Sequence, residues 1–222
     1  MSALDGFPLL LSLRVAGIAT LLACLLGVPL AWVMARRRFP GRDLLGVLVL
    51  LPMVLPPTVL GYYLLLLIGR NSAIGRAAEA SGLGRIVFTP TAAVIAALIA
   101  ALPFLVRTAQ AGFEQVEPVY EEAARTLGRT ERSIFFTVTV PLAWRGIVAG
   151  LALAFARSIG EFGATLMVAG NIPGRTQTAS IAIYDAVQAD RLAQANLLAI
   201  TLSLIAGGVL LLITRLGRAH RW

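Results

Sequence analysis

Five apolar stretches decide what this chain can fold into. They run over residues 9–35, 44–68, 91–106, 146–169 and 196–214. A helix needs about 20 consecutive apolar residues to cross the hydrocarbon core of a bilayer. The predicted fold class is therefore all-α: a polytopic membrane protein with five transmembrane helices, forming a single domain over 1–222. The first stretch exceeds what a straight span needs and is expected to tilt or protrude. The third is short and could extend to Gly112. Composition agrees, with 58% hydrophobic and 14% charged residues and a mean hydropathy of +0.84. A soluble domain is about 45–50% apolar and about 25% charged. A nucleic-acid-binding role is excluded as the main function, because its basic residues would need a polar surface to cluster on.

What the chain lacks narrows the chemistry further. All 19 basic residues are arginine, and there is no lysine. A P-loop requires a lysine to reach the terminal phosphates of a nucleotide, so the chain carries none. Cys24 is the only cysteine and lies in an apolar run. It permits no disulfide within the chain and no thiolate cluster. His220 is the only histidine and is expected in an exposed tail. No metal site and no bound cofactor are expected. The first eight residues have no positive region, and the apolar run that follows is too long for a cleavable signal.

Arginine placement sets an expected orientation. The loops at 36–42, 107, 125–145 and 215–221 hold twelve arginines; those at 14, 70–85 and 175–191 hold six, with Arg157 inside a span. The richer side is expected to be cytoplasmic. The N-terminus then lies outside and the C-terminus inside, with lipid around the spans.

One charged strip interrupts this apolar chain at mid-length: YEEAARTLGRTERSIFFTVTVPLA, Tyr120 to Ala143. It falls within the loop over 114–141, on the arginine-rich side. It reads as two short helices. Pro118 suits a first helical turn, and Glu121 and Glu122 lie near the positive end of the helix dipole. Gly128 can adopt the left-handed conformation that ends a helix. Thr130 can cap the second helix, and Pro141 is expected to stop it. Ala123 and Ala124 are small enough for another surface to approach the backbone. By physics alone the strip is either a solvated connection or a docking knob.

The residues of the strip also carry a resemblance. Glu122-Ala123-Ala124, then Gly128, then Val138-Thr139-Val140-Pro141 resembles the EAA motif of ABC-importer permeases. The departures are Val138 and Val140, where isoleucine and leucine are usual. The resemblance implies a coupling helix that docks in a groove of a separate ATP-binding subunit, through Glu121, Glu122, Ala123, Ala124, Gly128 and Pro141. ATP and magnesium would be used by that partner. LPMVLPPTVLGYYLLLLIGRN (Leu51 to Asn71) and LAFARSIGEFGATLMVAGNIPGRTQT (Leu153 to Thr178) are similar to the permeases of molybdate importers. Sulfate and thiosulfate permeases are the nearest alternative, and tungstate permeases look the same by eye. The implied assembly is a homodimer with two ATP-binding cassette subunits and a periplasmic or extracellular molybdate-binding protein.

The same segments suggest pore or gate residues. Pro52, Pro56 and Pro57 interrupt the second stretch, as a kink or as a break lining a wet path. Gly146, Gly150, Ala154 and Ser158 are spaced by four, as are Ala152, Ala156, Gly160 and Ala164, and such ladders permit close helix packing. Arg157 and Glu161 are the only opposite charges deep in a span, so they pair or line a cavity. Glu161 alone would repel a dianion. Hydroxyl and amide donors, such as Thr165, Asn171, Thr176 or backbone N–H groups, would suit an oxyanion better, and Ser158 is a further pore or gate candidate. An intramembrane enzyme is the rival from another class. It would need a base beside Ser158, and no lysine or intramembrane histidine supplies one. The chain is expected to be a transporter subunit and not an enzyme.

Overall fold

The computed structural model describes residues 6–82 and 84–219. His220 and Arg221 lie outside the described residues. The described residues form helices α1 (Phe7–Arg36), α2 (Arg42–Val54), α3 (Pro57–Ile68), α4 (Ala73–Ala80), α5 (Pro90–Glu114), α6 (Pro118–Thr126), α7 (Glu131–Ile134), α8 (Val140–Ile159), α9 (Gly163–Ala169), α10 (Ala179–Gln188) and α11 (Leu192–Ala219). Among the described residues four helical runs are long and apolar enough to cross a membrane, and α2 with α3 passes the same test only as a bent pair.

Helices α1 and α5 run side by side in the same direction. Leu11 and Val15 share a buried cluster with Ala92, Ala93 and Ala96. Further along, a Cβ on Gly27 would meet Leu102, Leu105 and Val106. At the far end, Arg36 donates to the Val116 carbonyl at 2.8 Å. Alanines at 92, 93, 96, 97, 100 and 101 are essentially fully buried. Small side chains let helices approach closely where lipid offers no hydrophobic drive to do so.

Two parallel neighbours require a return crossing, which α2 and α3 provide with a bend of 116° between them. The cause is local. Leu55 and Pro56 both precede a proline, which disfavours the helical region. Their ψ values are 139° and 138°. Helix α3 then restarts with Pro57 at its first position, where a missing N–H costs nothing. The stretch expected over 44–68 is thus one crossing made of two helices.

Thr89 caps α5 by accepting from the Ala92 N–H. The helix extends to Glu114, beyond the expected 91–106. The fourth crossing differs more. A continuous helical run covers Glu131–Ile159, where a span over 146–169 was expected. Pro141 does not end a helix. A π-turn over Phe135–Thr139 joins α7 to α8, with Val140 N–H bonded to the Phe135 carbonyl five residues back. The widened turn takes up the proline ring that would clash in a regular helix. The run ends at Gly160, and α9 is a separate short helix. The fifth crossing, α11, starts at Leu192, earlier than the expected 196.

Helix α8 lies antiparallel to α5, with Gly146 against Gly112 and Gly150 against Leu105. The first glycine ladder therefore packs within the chain. Helix α11 packs beside α8 and α10 and buries only 6% of its apolar window. The ends of α1, α5 and α11 and the α6–α7 loop thus share one face of the molecule.

Candidate functional site

The loop at the arginine-rich face is a defined knob. Pro118 opens α6. Gly128 adopts φ +75°, as its position after a short helix predicts, and closes the helix with its N–H on the Arg125 carbonyl at 2.9 Å. The Thr130 hydroxyl accepts from the Ser133 N–H at 3.3 Å and caps α7. Arg125 and Glu131 pair at 2.6 Å across the loop. The hydrogen bond to Glu131 raises the Arg125 guanidinium above its ordinary value.

The faces of α6 sort its residues. Glu122 and Ala123 are exposed, while Glu121 and Ala124 are buried against the chain. The small residue open to another surface is Ala123. Around it lie Val119, Tyr120 and Leu127, the last 82% exposed, with Phe136 at 68% on the following turn. Glu121, expected at the docking rim, turns inward to Arg36 at 3.1 Å. The Thr139 hydroxyl donates to the same Glu121 oxygen at 2.9 Å. Pro141 lies beyond the π-turn, only partly exposed.

The second part of the site is the pair of helix breaks between α2 and α3 and between α8 and α9, both inside apolar stretches. Helix α2 rises about 20 Å from Arg42 to the elbow. There Pro56, Pro57 and Thr58 are exposed. Gly163, at the start of α9, sits against this elbow, and a Cβ on it would stand 2.8 Å from the Pro57 Cβ. One helical turn on, Gly61 meets Met167 and the Ala164 backbone. The prolines of one broken element are therefore packed on the glycine of the other.

Glu161 lies between Ile159 and α9 and is 3% exposed. One carboxylate oxygen accepts from the Ala164 N–H at 2.8 Å. The other faces Arg157 Nη1 at 2.6 Å. A carboxylate at a helix N-terminus is favourably placed, so Glu161 both caps α9 and holds Arg157. The Arg157 side chain stays 27% exposed. Ser158 and Thr165 are buried, and the Ser158 hydroxyl has no hydrogen-bond partner among the described residues.

The remaining candidates sit apart. Thr176 is fully buried. Its hydroxyl accepts from the Ile172 N–H and faces the Gly170 carbonyl, tying the 170–176 turn together. Asn171 is exposed, donates to Asp185 at 3.2 Å and accepts from Gln177 at 2.8 Å. Arg191 pairs with Asp185 at 3.2 Å. Among the described residues no group of three or more His, Cys, Asp or Glu could hold a metal. Sequence reasoning missed Arg36, Thr139 and Gly163. Only the glycine opening a GAT segment after Glu161 offered a local sign.

Comparison with known proteins agrees with this architecture. The family described as "Binding-protein-dependent transport system inner membrane component" matches residues 27–218. The chain is 42% identical over 199 residues to the "Molybdenum transport system permease protein ModB" of Azotobacter vinelandii, covering 90% of this chain and 88% of that protein. It is 44% identical over 180 residues to the protein of the same name from Escherichia coli strain K12, covering 81% and 78%. The "Sulfate transport system permease protein CysT" of Salmonella typhimurium is 38% identical, covering 80% of this chain and 64% of that protein. Among solved structures, a chain of a bacterial ABC transporter that imports alginate has a TM-score of 0.76 at 16% identity, covering 99% of this chain and 80% of that one. A chain of the MetNI methionine ABC transporter has a TM-score of 0.72 at 15% identity, covering 97% and 95%. The fold is that of ABC-importer permeases, and the chain belongs to the family of binding-protein-dependent transport system inner membrane components, a multi-pass permease and not an enzyme.

Proposed function

We propose that this permease carries molybdate, as a homodimer driven by two ATP-binding cassette subunits and supplied by an oxyanion-binding protein on the opposite face. The observation that carries the substrate is the 42–44% identity to molybdenum permeases over most of their length. The chain needs no cofactor of its own; nucleotide and magnesium belong to the partner ATPases. The knob formed by Glu122, Ala123, Leu127 and the Gly128 turn is the surface for those partners, on the cytoplasmic side.

Exposed, non-helical backbone at membrane depth is tolerated only against protein or a water-lined path. The Pro56–Pro57 elbow is exposed on this chain, which supports a second copy and a pathway beside it. Arg157, held by Glu161, and the hydroxyls of Ser158 and Thr165 are the groups proposed along that path. Asn171 and Thr176 belong to the outer turn beyond it.

Sulfate is the second reading, favoured by the 38% identity to a sulfate permease. Deleting the chain separates the two. Loss of molybdoenzyme activity, restored by high external molybdate, is the expected result. Sulfate auxotrophy with normal molybdoenzyme activity would overturn the substrate.

A further inference from the structure

Glu121 stands one position before the Glu122-Ala123-Ala124 segment but takes no part in the exposed face. It is 7% exposed. One of its oxygens accepts from the Thr139 hydroxyl at 2.9 Å and stands 3.1 Å from Arg36 Nη2 as an ion pair. Its other oxygen faces Arg125 at 3.8 Å. Arg36 is the last residue of α1, and its Nη2 also donates to the carbonyl of Val116, two residues past the end of α5. Thr139 is the last residue of the π-turn and is 1% exposed. A single carboxylate thus joins α6 to the end of α1 and to the start of α8.

Covalently, α6 is connected only through 115–117 to α5 and through 127–130 to α7. Both connectors are short irregular segments: Val116 in the first is buried and bonded to Arg36, while 127–130 is exposed throughout. Helix α1 has no chain connection to α6 nearby; the two residues of the pair are far apart in sequence. An ion pair between largely buried groups is screened far less than one at the surface. Packing beside it is of the same kind. The Phe135 ring on the π-turn stands edge-on to Trp32 of α1 at 5.2 Å and lies 6.3 Å from Phe113 of α5.

We infer that Arg36 and Glu121 form a strut that delivers movement of the coupling helix to α1, with Thr139 fixing the strut to the π-turn that leads into α8. Glu121 is a positioning residue: it acts through Arg36 and not through contact with the ATPase or the oxyanion. This role rests on the proposed coupling to a separate ATPase. Without the strut, the knob still docks and the partner still hydrolyses ATP, but the motion is spent in the connectors.

The test uses the full permease–ATPase complex in proteoliposomes, with its binding protein and molybdate, for wild type, Glu121→Gln, Arg36→Gln and the double variant. Expected are co-purification of the ATPase at wild-type levels and ATP hydrolysis within about twofold. Molybdate accumulated per ATP hydrolysed falls at least tenfold in all three variants. The double variant is no worse than either single one, because both remove one interaction. Arg36→Lys, which keeps the charge, recovers more of the ratio than Arg36→Gln. An unchanged ratio in the variants, beside a coupled wild type, overturns the strut alone. A fall that only tracks lost ATPase binding also overturns it and makes Glu121 a docking residue. A wild type that neither binds an ATPase nor takes up molybdate overturns the functional reading itself, and the strut with it.

Discussion

Gly112 of α5 and Gly146 of α8 meet backbone to backbone: a Cβ on Gly146 would stand 2.7 Å from the Gly112 Cα and 3.2 Å from the Thr108 carbonyl oxygen. No rotamer can relieve a clash that begins at Cβ. Gly146→Val must push the helices apart and is expected to cost about 1–3 kcal/mol. Gly208→Ala, where nothing lies within 4 Å, is the control and should be neutral or slightly stabilising. Thermal unfolding in detergent reads both. Equal melting of Gly146→Val and wild type would mean the helices do not cross at these glycines.

Arg157 and Glu161 depend on each other. Glu161→Gln leaves a membrane-embedded guanidinium without its counter-charge, and breaking such a pair costs on the order of 3 kcal/mol when both groups are buried. Arg157 is partly exposed, so the loss should fall below that figure. Arg157→Gln with Glu161→Gln should be less damaging than the sum of the two single changes. A double-mutant cycle on unfolding midpoints decides it, and strict additivity would contradict the pairing.

Gly128 has open space around it, so a side chain there meets only backbone strain. Left-handed conformation costs most residues about 1–2 kcal/mol, and asparagine less. ATPase co-purification should therefore rank the wild-type glycine first, Gly128→Asn second and Gly128→Val last. Ala123→Trp should abolish docking by bulk at the exposed face while leaving the permease inserted. If Ala123→Trp docks normally, the exposed face of α6 is not the contact surface.

Orientation can be read by cysteine labelling in a Cys24→Ala background. Ala80 and Arg129 are both exposed and lie on opposite faces of the chain. A cysteine at 80 should label from outside, and one at 129 only after permeabilisation. The reverse pattern would invert the proposed topology.

Much of this was legible because it is local. The left-handed Gly128, the cap at Thr130 and the proline elbow follow from a residue and its neighbours. The inward turn of Glu121 was not legible, because its partner Arg36 is distant in sequence. A motif read by itself also cannot say which face of its helix is outward; Ala123 and Ala124 look equivalent until the packing separates them. The end of the fourth span was hidden by composition. The Gly160–Phe162 break lies between two apolar segments, and hydropathy runs across it. Pro141 misled for a physical reason: one extra residue in the preceding turn lets a proline stand near the start of a long helix.

As a molybdate permease, this chain should move the oxyanion only when a separate ATPase drives it. Reconstituted with its ATPase and binding protein, it should accumulate molybdate in proteoliposomes on addition of ATP and magnesium. Uptake should vanish when the ATPase is omitted, and excess sulfate should not compete. Accumulation without the ATPase, or sulfate accumulated in preference to molybdate, would contradict the account.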